Sequence, residues 1–303
     1  MTSDIKFSVC ITTYKRWHLC QKALSSVLNQ TYDTHQIILI DDDPSSIIPE
    51  NIQNLMNSGK VTYFRNEHNY GLARSRNKGL NLSTGEYFVF CDDDDYWHLD
   101  YLETLRVDLA KFDLPEVLIM LDPIYRKNTG QNTDIKQLIW AGFTPPVAAQ
   151  CYKLRNRNTN NVNYSVNCSS GVDHDLWLNL LKANPRTAIT FATKIGQQDH
   201  DGTQITTNYE TRISKIEETI KMWDTKFSLS VEEKCLYDRL VLGYMLYLER
   251  NFAYQILVDN IMNRKTLFLG RPLSGLRGLR NIVIRKIIRL LFKYRYTTLD
   301  SRI

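Results

Sequence analysis

A chain of 303 residues with 43% hydrophobic and 23% charged side chains has the apolar material for a sizeable core, which excludes a disordered chain, and its length favours one large domain with an appendage. No run approaches the ~18 consecutive apolar residues of a membrane-spanning helix, the Leu240–Leu248 region being about half that long. The net charge of +5 is unevenly spread: residues 264–303 hold eleven Lys or Arg against one acid, Asp300, so this tail is +10 and the rest of the chain is −5.

The N-terminus passes from polar residues directly into Phe7–Ile11, without the basic region, apolar core and cleavage site of a signal. The six cysteines (Cys10, Cys20, Cys91, Cys151, Cys168, Cys235) form no CxxC pair and no metal spacing with histidine. They read as free thiols of a reducing, cytoplasmic setting. Phe7 to Thr12 is a short apolar strand closed by Thr13-Tyr14-Lys15-Arg16, and Leu19, Ala23, Leu24, Val27 and Leu28 then recur at helical spacing. Gln36 to Ile40 is a continuous apolar run of the kind buried on both faces, and it stops in Asp41-Asp42-Asp43-Pro44. Val61–Phe64 reads as a third strand, Gly71–Leu82 as a helix, and Tyr87–Phe90 as a fourth strand entering Cys91-Asp92-Asp93-Asp94-Asp95. Alternating strands and helices predict an α/β fold with a mostly parallel central sheet flanked by helices. Ligands of such sheets bind beyond the carboxyl ends of the strands, where both acidic clusters stand.

Beyond Trp97 the pattern predicts a helix over Leu99–Phe112, a strand over Val117–Leu121, a loop-rich stretch from Asn128 to Asn167 and a helix through Leu176–Leu181. From about Tyr209 onward it is helical, which divides the chain into a domain over 1–208 and a helical region over 209–303. Within the basic tail, Val283, Ile284, Ile287, Ile288 and Leu291 fall on one helical face and Arg285, Lys286, Arg289 and Lys293 on another. Such a helix either lies in the headgroup plane of an anionic membrane or packs on the domain. No nucleic-acid motif accompanies it.

Four successive aspartates repel one another unless a cation neutralises them, and a hard divalent ion with oxygen ligands is the natural partner. Residues leaving a strand point alternately to opposite sides, so Asp92 and Asp94 face one ion while Asp93 faces away. Mg²⁺ bound by a carboxylate pair usually takes substrate phosphates as further ligands, so a diphosphate is implied as well.

The segments Ser8–Arg16, Ser26–Tyr32, Ile40–Asp43, Gly71–Gly79, Gly85–Tyr87, Asp92–Trp97 and Asp173–Trp177, in this order, resemble glycosyltransferase family 2, inverting nucleotide-sugar enzymes of GT-A (Rossmann-like) fold, over roughly residues 7–205. The resemblance implies that Thr12, Tyr14 and Asp42 hold the nucleoside base, that Asp92 and Asp94 hold ribose, diphosphate and a Mg²⁺ or Mn²⁺ ion, and that Arg76 faces the donor phosphates. It implies that Asp173 is the catalytic base, although Asp at a helix start is also a favoured cap. His200 would contact the metal or a phosphate from a polar segment closing over the diphosphate. Two positions depart from the family pattern: Asp43 stands where Gly is common, and Val172 where Glu often precedes the base. The implied donor is a nucleotide sugar, UDP-linked by family habit. The implied acceptor is a saccharide, lipid-linked, in bacterial surface polysaccharide or lipopolysaccharide synthesis at the inner face of the cytoplasmic membrane. Two alternatives stay open, a non-catalytic nucleotide-sugar-binding protein of the same fold and a metal-dependent nucleotidyltransferase.

Overall fold

The apolar runs become the strands of one sheet in the computed structural model, which describes residues 4–33, 35–121, 123, 149–154, 163–168, 171–183, 186–197, 219, 222, 223 and 225, all within the compact unit Met1–Tyr247. In chain order the elements are β1 (Phe7–Thr13), α1 (Trp17–Leu28), β2 (His35–Asp41), α2 (Glu50–Asn57), β3 (Thr62–Arg65), α3 (Leu72–Leu82), β4 (Tyr87–Asp92), β5 (Asp95–Trp97), α4 (Tyr101–Lys111), β6 (Val117–Leu121), β7 (Gln150–Lys153), α5 (Val172–Ala183), β8 (Thr187–Phe191) and β9 (Ile195–Gln197). Among the described residues seven strands form the central sheet, in the order β3-β2-β1-β4-β7-β6-β8. Every neighbouring pair is parallel except those made by β7, which runs antiparallel to both β4 and β6. A separate antiparallel pair, β5 with β9, stands beside it.

Alternation along the strands sorts the core into two layers. Phe7, Val9 and Ile11 of β1 face one side, with Cys20, Ala23, Leu24 and Val27 of α1 and Leu102, Leu105 and Leu109 of α4. Cys10 faces the other, with Phe88 and Phe90 of β4, Ala73 and Leu80 of α3, and Leu176, Trp177 and Leu180 of α5. Gly79 is what lets α3 lie so close: a Cβ there would stand 2.3 Å from Cys10 Sγ. The chain builds β1, β2 and β3 outward in one direction and then returns to place β4 on the other side of β1, so the strand order reverses between β1 and β4, and ligands of such sheets bind beyond the carboxyl ends at a reversal of this kind.

Four strands depart from the sequence reading. β7 lies inside the stretch expected to be loop-rich, because only Cys151 and Tyr152 of its four residues are apolar and its place between β4 and β6 comes from pairing with both. β8, read as no element, is a half-buried strand that follows β6 in parallel. β5 and β9, three residues each, are too short to show a period. The domain boundary near residue 208, most of the Asn128–Asn167 stretch, His200 and the basic helix over 280–293 lie outside the described residues. Among the described residues no helix is long and apolar enough to cross a membrane, and the five described cysteines are buried, with no disulfide between them.

Candidate active site

The carboxyl ends of β1, β2 and β4 bring the sequence-selected residues to one edge of the sheet. Thr12 is buried and sits opposite Asp92 in the β1–β4 register. Tyr14, just past β1, is exposed, and the Lys15 ammonium lies 5.1 Å from its ring centroid. Lys15 has φ 59, a left-handed turn that takes the chain from β1 into α1.

The three aspartates that close β2, Asp41 to Asp43, are all buried and engaged by protein donors. Asp41 accepts from Tyr63 Oη at 2.9 Å, from the Asp43 backbone N–H at 3.0 Å and from Ser46 Oγ. Asp43 accepts from the backbone and hydroxyl of Ser45 at 3.1 and 2.8 Å. Asp42 accepts from Asn66 Nδ2 at 2.8 Å, the Tyr70 backbone at 2.9 Å and the Gly71 backbone at 2.8 Å. An ionised carboxylate takes about four hydrogen bonds, so Asp42 is largely spent on shaping the β3–α3 loop, a task that its implied role at the nucleoside base does not include.

The second acidic run divides as the alternation predicts. Asp93 is buried, accepts from Thr13 Oγ1 at 2.9 Å and is ion-paired with Arg16, whose Nη1 also reaches Asp94 at 3.3 Å. Burial pushes the Asp93 carboxyl up to about 7 against the pull of Arg16. Asp95 is also buried, and burial together with its acidic neighbours raises it to about 8. Asp92 and Asp94 keep side-chain exposures of 31% and 21%, which makes them the pair that can meet a ligand. No group of three or more His, Cys, Asp or Glu among the described residues is arranged to hold a metal. Two outward carboxylates are nonetheless the oxygen-donor set that Mg²⁺ or Mn²⁺ uses when substrate phosphates and water complete its shell, so the residues fit the ion.

Arg76 ties this edge to α5. It is 2% exposed, with its guanidinium beside the rings of Phe90 (5.4 Å) and Tyr164 (5.3 Å), which also meet each other edge to face. Nη2 donates to Asp92 Oδ1 at 2.8 Å and Nη1 to Asp173 Oδ1 at 2.5 Å. Burial opposes its charge, but the two carboxylates outweigh that and hold its pKa well above the usual arginine value. The family resemblance aims Arg76 at the donor phosphates, while its residue type alone leaves pairing with acids equally open; the structure gives both terminal nitrogens to carboxylates. Asp173 is the second residue of α5, inside the helix, and its side chain is 35% exposed. Asp175, two residues on, is buried and turned elsewhere, accepting from Trp223 Nε1 at 2.9 Å and Asn179 Nδ2 at 3.0 Å.

Arg16, Tyr164 and Trp223 belong to this site although sequence reasoning did not single them out. Arg16 closes the Ser8–Arg16 segment that carries the family resemblance; Tyr164 and Trp223 have no local signal, being placed by contacts made far along the chain.

The pattern that defines glycosyl transferase family 2 matches residues 8–171. A GalNAc(5)-diNAcBac-PP-undecaprenol beta-1,3-glucosyltransferase of Campylobacter jejuni is 35% identical over 102 residues, 33% of this chain and 33% of that protein. The chain spans between 14 and 39% of the length of the relatives it matches in this way. Among solved structures, Staphylococcus aureus TarS 1–349 in complex with UDP-GlcNAc superposes with TM-score 0.60 at 15% identity, covering 87% of this chain and 77% of that one. The mannosyltransferase PcManGT of Pyrobaculum calidifontis, in complex with GDP-Man and Mn²⁺, gives 0.57 at 13% identity, covering 99% and 84%. These two likenesses establish the GT-A fold.

Proposed function

The chain belongs to glycosyl transferase family 2, and from that premise we propose that it transfers a sugar, with inversion, from a nucleoside diphosphate donor to a saccharide hydroxyl. The observation that carries this reading is the Arg76 bridge. It joins a carboxylate at the end of β4, Asp92, to one that begins α5, Asp173, so that a donor-side group and a candidate base share one crevice.

In this reading Thr12 and Tyr14 line the base subsite, and Asp42 frames it by fixing the loop to α3. Asp92 and Asp94 would hold Mg²⁺ or Mn²⁺, which supplies Lewis-acid stabilisation for the charge that develops on the leaving diphosphate. Support for such an ion comes from the outward placement of these two carboxylates and from the Mn²⁺ held by the PcManGT structure. Asp173 accepts the proton of the acceptor hydroxyl as its oxygen bonds to the anomeric carbon and the carbon–phosphate-oxygen bond breaks, a contribution of about 10² to 10⁴ in rate. Arg76 aims that carboxylate through their ion pair. Attack opposite the leaving group inverts the anomeric centre.

A UDP-sugar is the proposed donor, with the TarS complex in support, and His200 is a proposed contact to metal or phosphate. The proposed acceptor is a lipid-linked saccharide of bacterial surface polysaccharide synthesis. Its support is the Campylobacter relative's undecaprenol-linked substrate and the +10 charge of residues 264–303, suited to the anionic inner face of a membrane. The proposed division is a nucleotide-sugar domain over 1–208 followed by a helical region over 209–303.

The test is nucleoside diphosphate release from UDP- and GDP-sugars with Mn²⁺, Mg²⁺ or EDTA, comparing wild type, Asp94→Ala and Asp173→Asn. Metal-dependent release from one donor, lost in Asp94→Ala and cut by at least about 10²-fold in Asp173→Asn with donor affinity retained, is the expected result. Donor binding without turnover in any enzyme would make the protein a binder, and no binding at all would refute the reading.

A further inference from the structure

The base assignment leaves open what fixes the start of α5, where Asp173 sits only one residue inside a helix terminus. Residues two apart on a helix point to nearly opposite sides, so Asp173 reaches Arg76 on one side while Asp175 faces the other. On that other side stands Trp223, which is 3% exposed and lies 48 residues further along the chain. Its indole N–H donates to Asp175 Oδ1 at 2.9 Å. Its ring packs on His174, with centroids 5.3 Å apart. It also covers Gly171, where an added Cβ would come within 3.4 Å of the ring edge. Gly171, with φ 68, makes the left-handed turn into α5 and receives the first-turn bond from the Asp175 N–H at 2.9 Å. One side chain thus touches residues 171, 174 and 175, on both sides of Asp173 in sequence.

We propose that Trp223 is a positioning residue for the transfer reaction: its hydrogen bond to Asp175, with its packing on Gly171 and His174, holds the first turn of α5 so that Asp173 stays aligned toward the acceptor side of the crevice. The proposal rests on reading Asp173 as the base. It makes the segment after β9 a working part of the catalytic domain, past the boundary drawn near residue 208. A buried acceptor that loses its donor pulls on its own helix turn, and Asp173 shares that turn. A displacement of about 1 Å at a reacting group costs on the order of 10²-fold in rate, so alignment is where the loss would register.

The experiment uses the full chain with Mn²⁺ and UDP-GlcNAc, UDP-Glc and GDP-Man as donors, reading diphosphate release, donor affinity and melting temperature. The enzymes are wild type, Asp173→Asn, Trp223→Phe, Asp175→Ala and the Trp223→Phe/Asp175→Ala double. A further variant carries benzothienylalanine at 223, which keeps the indole shape without the N–H. The expected result is a fall of kcat by about 10- to 100-fold in both Trp223 variants and in Asp175→Ala. Donor KM and affinity stay within about twofold of wild type, and the double loses no more than the worse single, because paired residues are not additive. Wild-type kcat in the benzothienylalanine enzyme would overturn the proposal, as would a parallel loss of kcat, donor affinity and melting temperature, the mark of a prop for the whole domain. No release by wild type, or an Asp173→Asn enzyme as fast as wild type, removes the base assignment and the proposal with it.

Discussion

Replacing Arg76 with methionine tests the centre of the site, because methionine fills much of the same space beside Phe90 and Tyr164 and brings no charge. Removing one partner of a buried ion pair costs about 3–5 kcal/mol when the other is left stranded. Here the carboxylates that lose this partner, Asp92 and Asp173, are 31% and 35% exposed, so water recovers part of that. A loss of ~2–3 kcal/mol is the reasoned magnitude, with the ring contacts largely kept by the thioether. Turnover should fall further than stability implies, since Asp173 loses the donor that orients it, by about 10²-fold in kcat. Arg76→Lys should lie between, because an ammonium is a point charge that cannot span two carboxylates as a guanidinium does. Urea unfolding gives the stability, and diphosphate release at saturating donor gives kcat. An Arg76→Met enzyme within ~0.5 kcal/mol of wild type and turning over at the wild-type rate would refute the bridge as a working element; that margin is what surface substitutions usually cost.

Asp42→Ala should remove three hydrogen bonds from the β3–α3 loop and leave two backbone donors and an amide seeking partners, at ~1–3 kcal/mol of stability. Donor KM should rise with it, and a rise in KM without any loss of stability would show that the carboxylate serves the base directly. His174 is buried, and burial lowers its pKa from 6.5 to about 4, so the unfolded chain takes up the proton first. The stability this provides is whole above pH 6.5 and drains as pH falls toward 4, by up to ~3 kcal/mol. Urea curves at pH 7 and pH 4.5 should therefore converge more closely in His174→Phe than in wild type, and an equal acid loss in both would count against the assignment.

The first half of the fold was legible because β1, β2 and β4 are parallel strands covered on both faces, and such strands announce themselves as unbroken apolar runs. β7 and β8 did not, since their place is set by pairing and by a half-buried position, which leave Gln150, Thr187 and Thr190 in strands without an apolar period. The residue types of the site were legible and their mutual arrangement was not. Arg76 and Asp173 are 97 residues apart, and nothing local tells an arginine that faces a phosphate from one that pairs with carboxylates. Trp223 shows the limit most clearly, as its partner Asp175 reads from the sequence only as the acid turned away from the base.

The two acidic runs look alike on paper, yet their surroundings give them opposite uses. Asp41, Asp42 and Asp43 enter a loop supplied with hydroxyl, amide and backbone donors, so each carboxylate is satisfied within the protein and remains buried. The Asp92–Asp95 run instead joins one strand to the next, β4 to β5, and burial alternates along it. Asp93 and Asp95 are thereby forced inside, where Arg16 and Thr13 answer Asp93, and Asp92 and Asp94 are forced outward. A pair of outward carboxylates in this geometry brings two buried ones with it, which accounts for a run of four. The number of aspartates in a cluster is therefore a poor guide to a metal site; whether a strand follows the cluster decides which of its carboxylates remain open to a ligand.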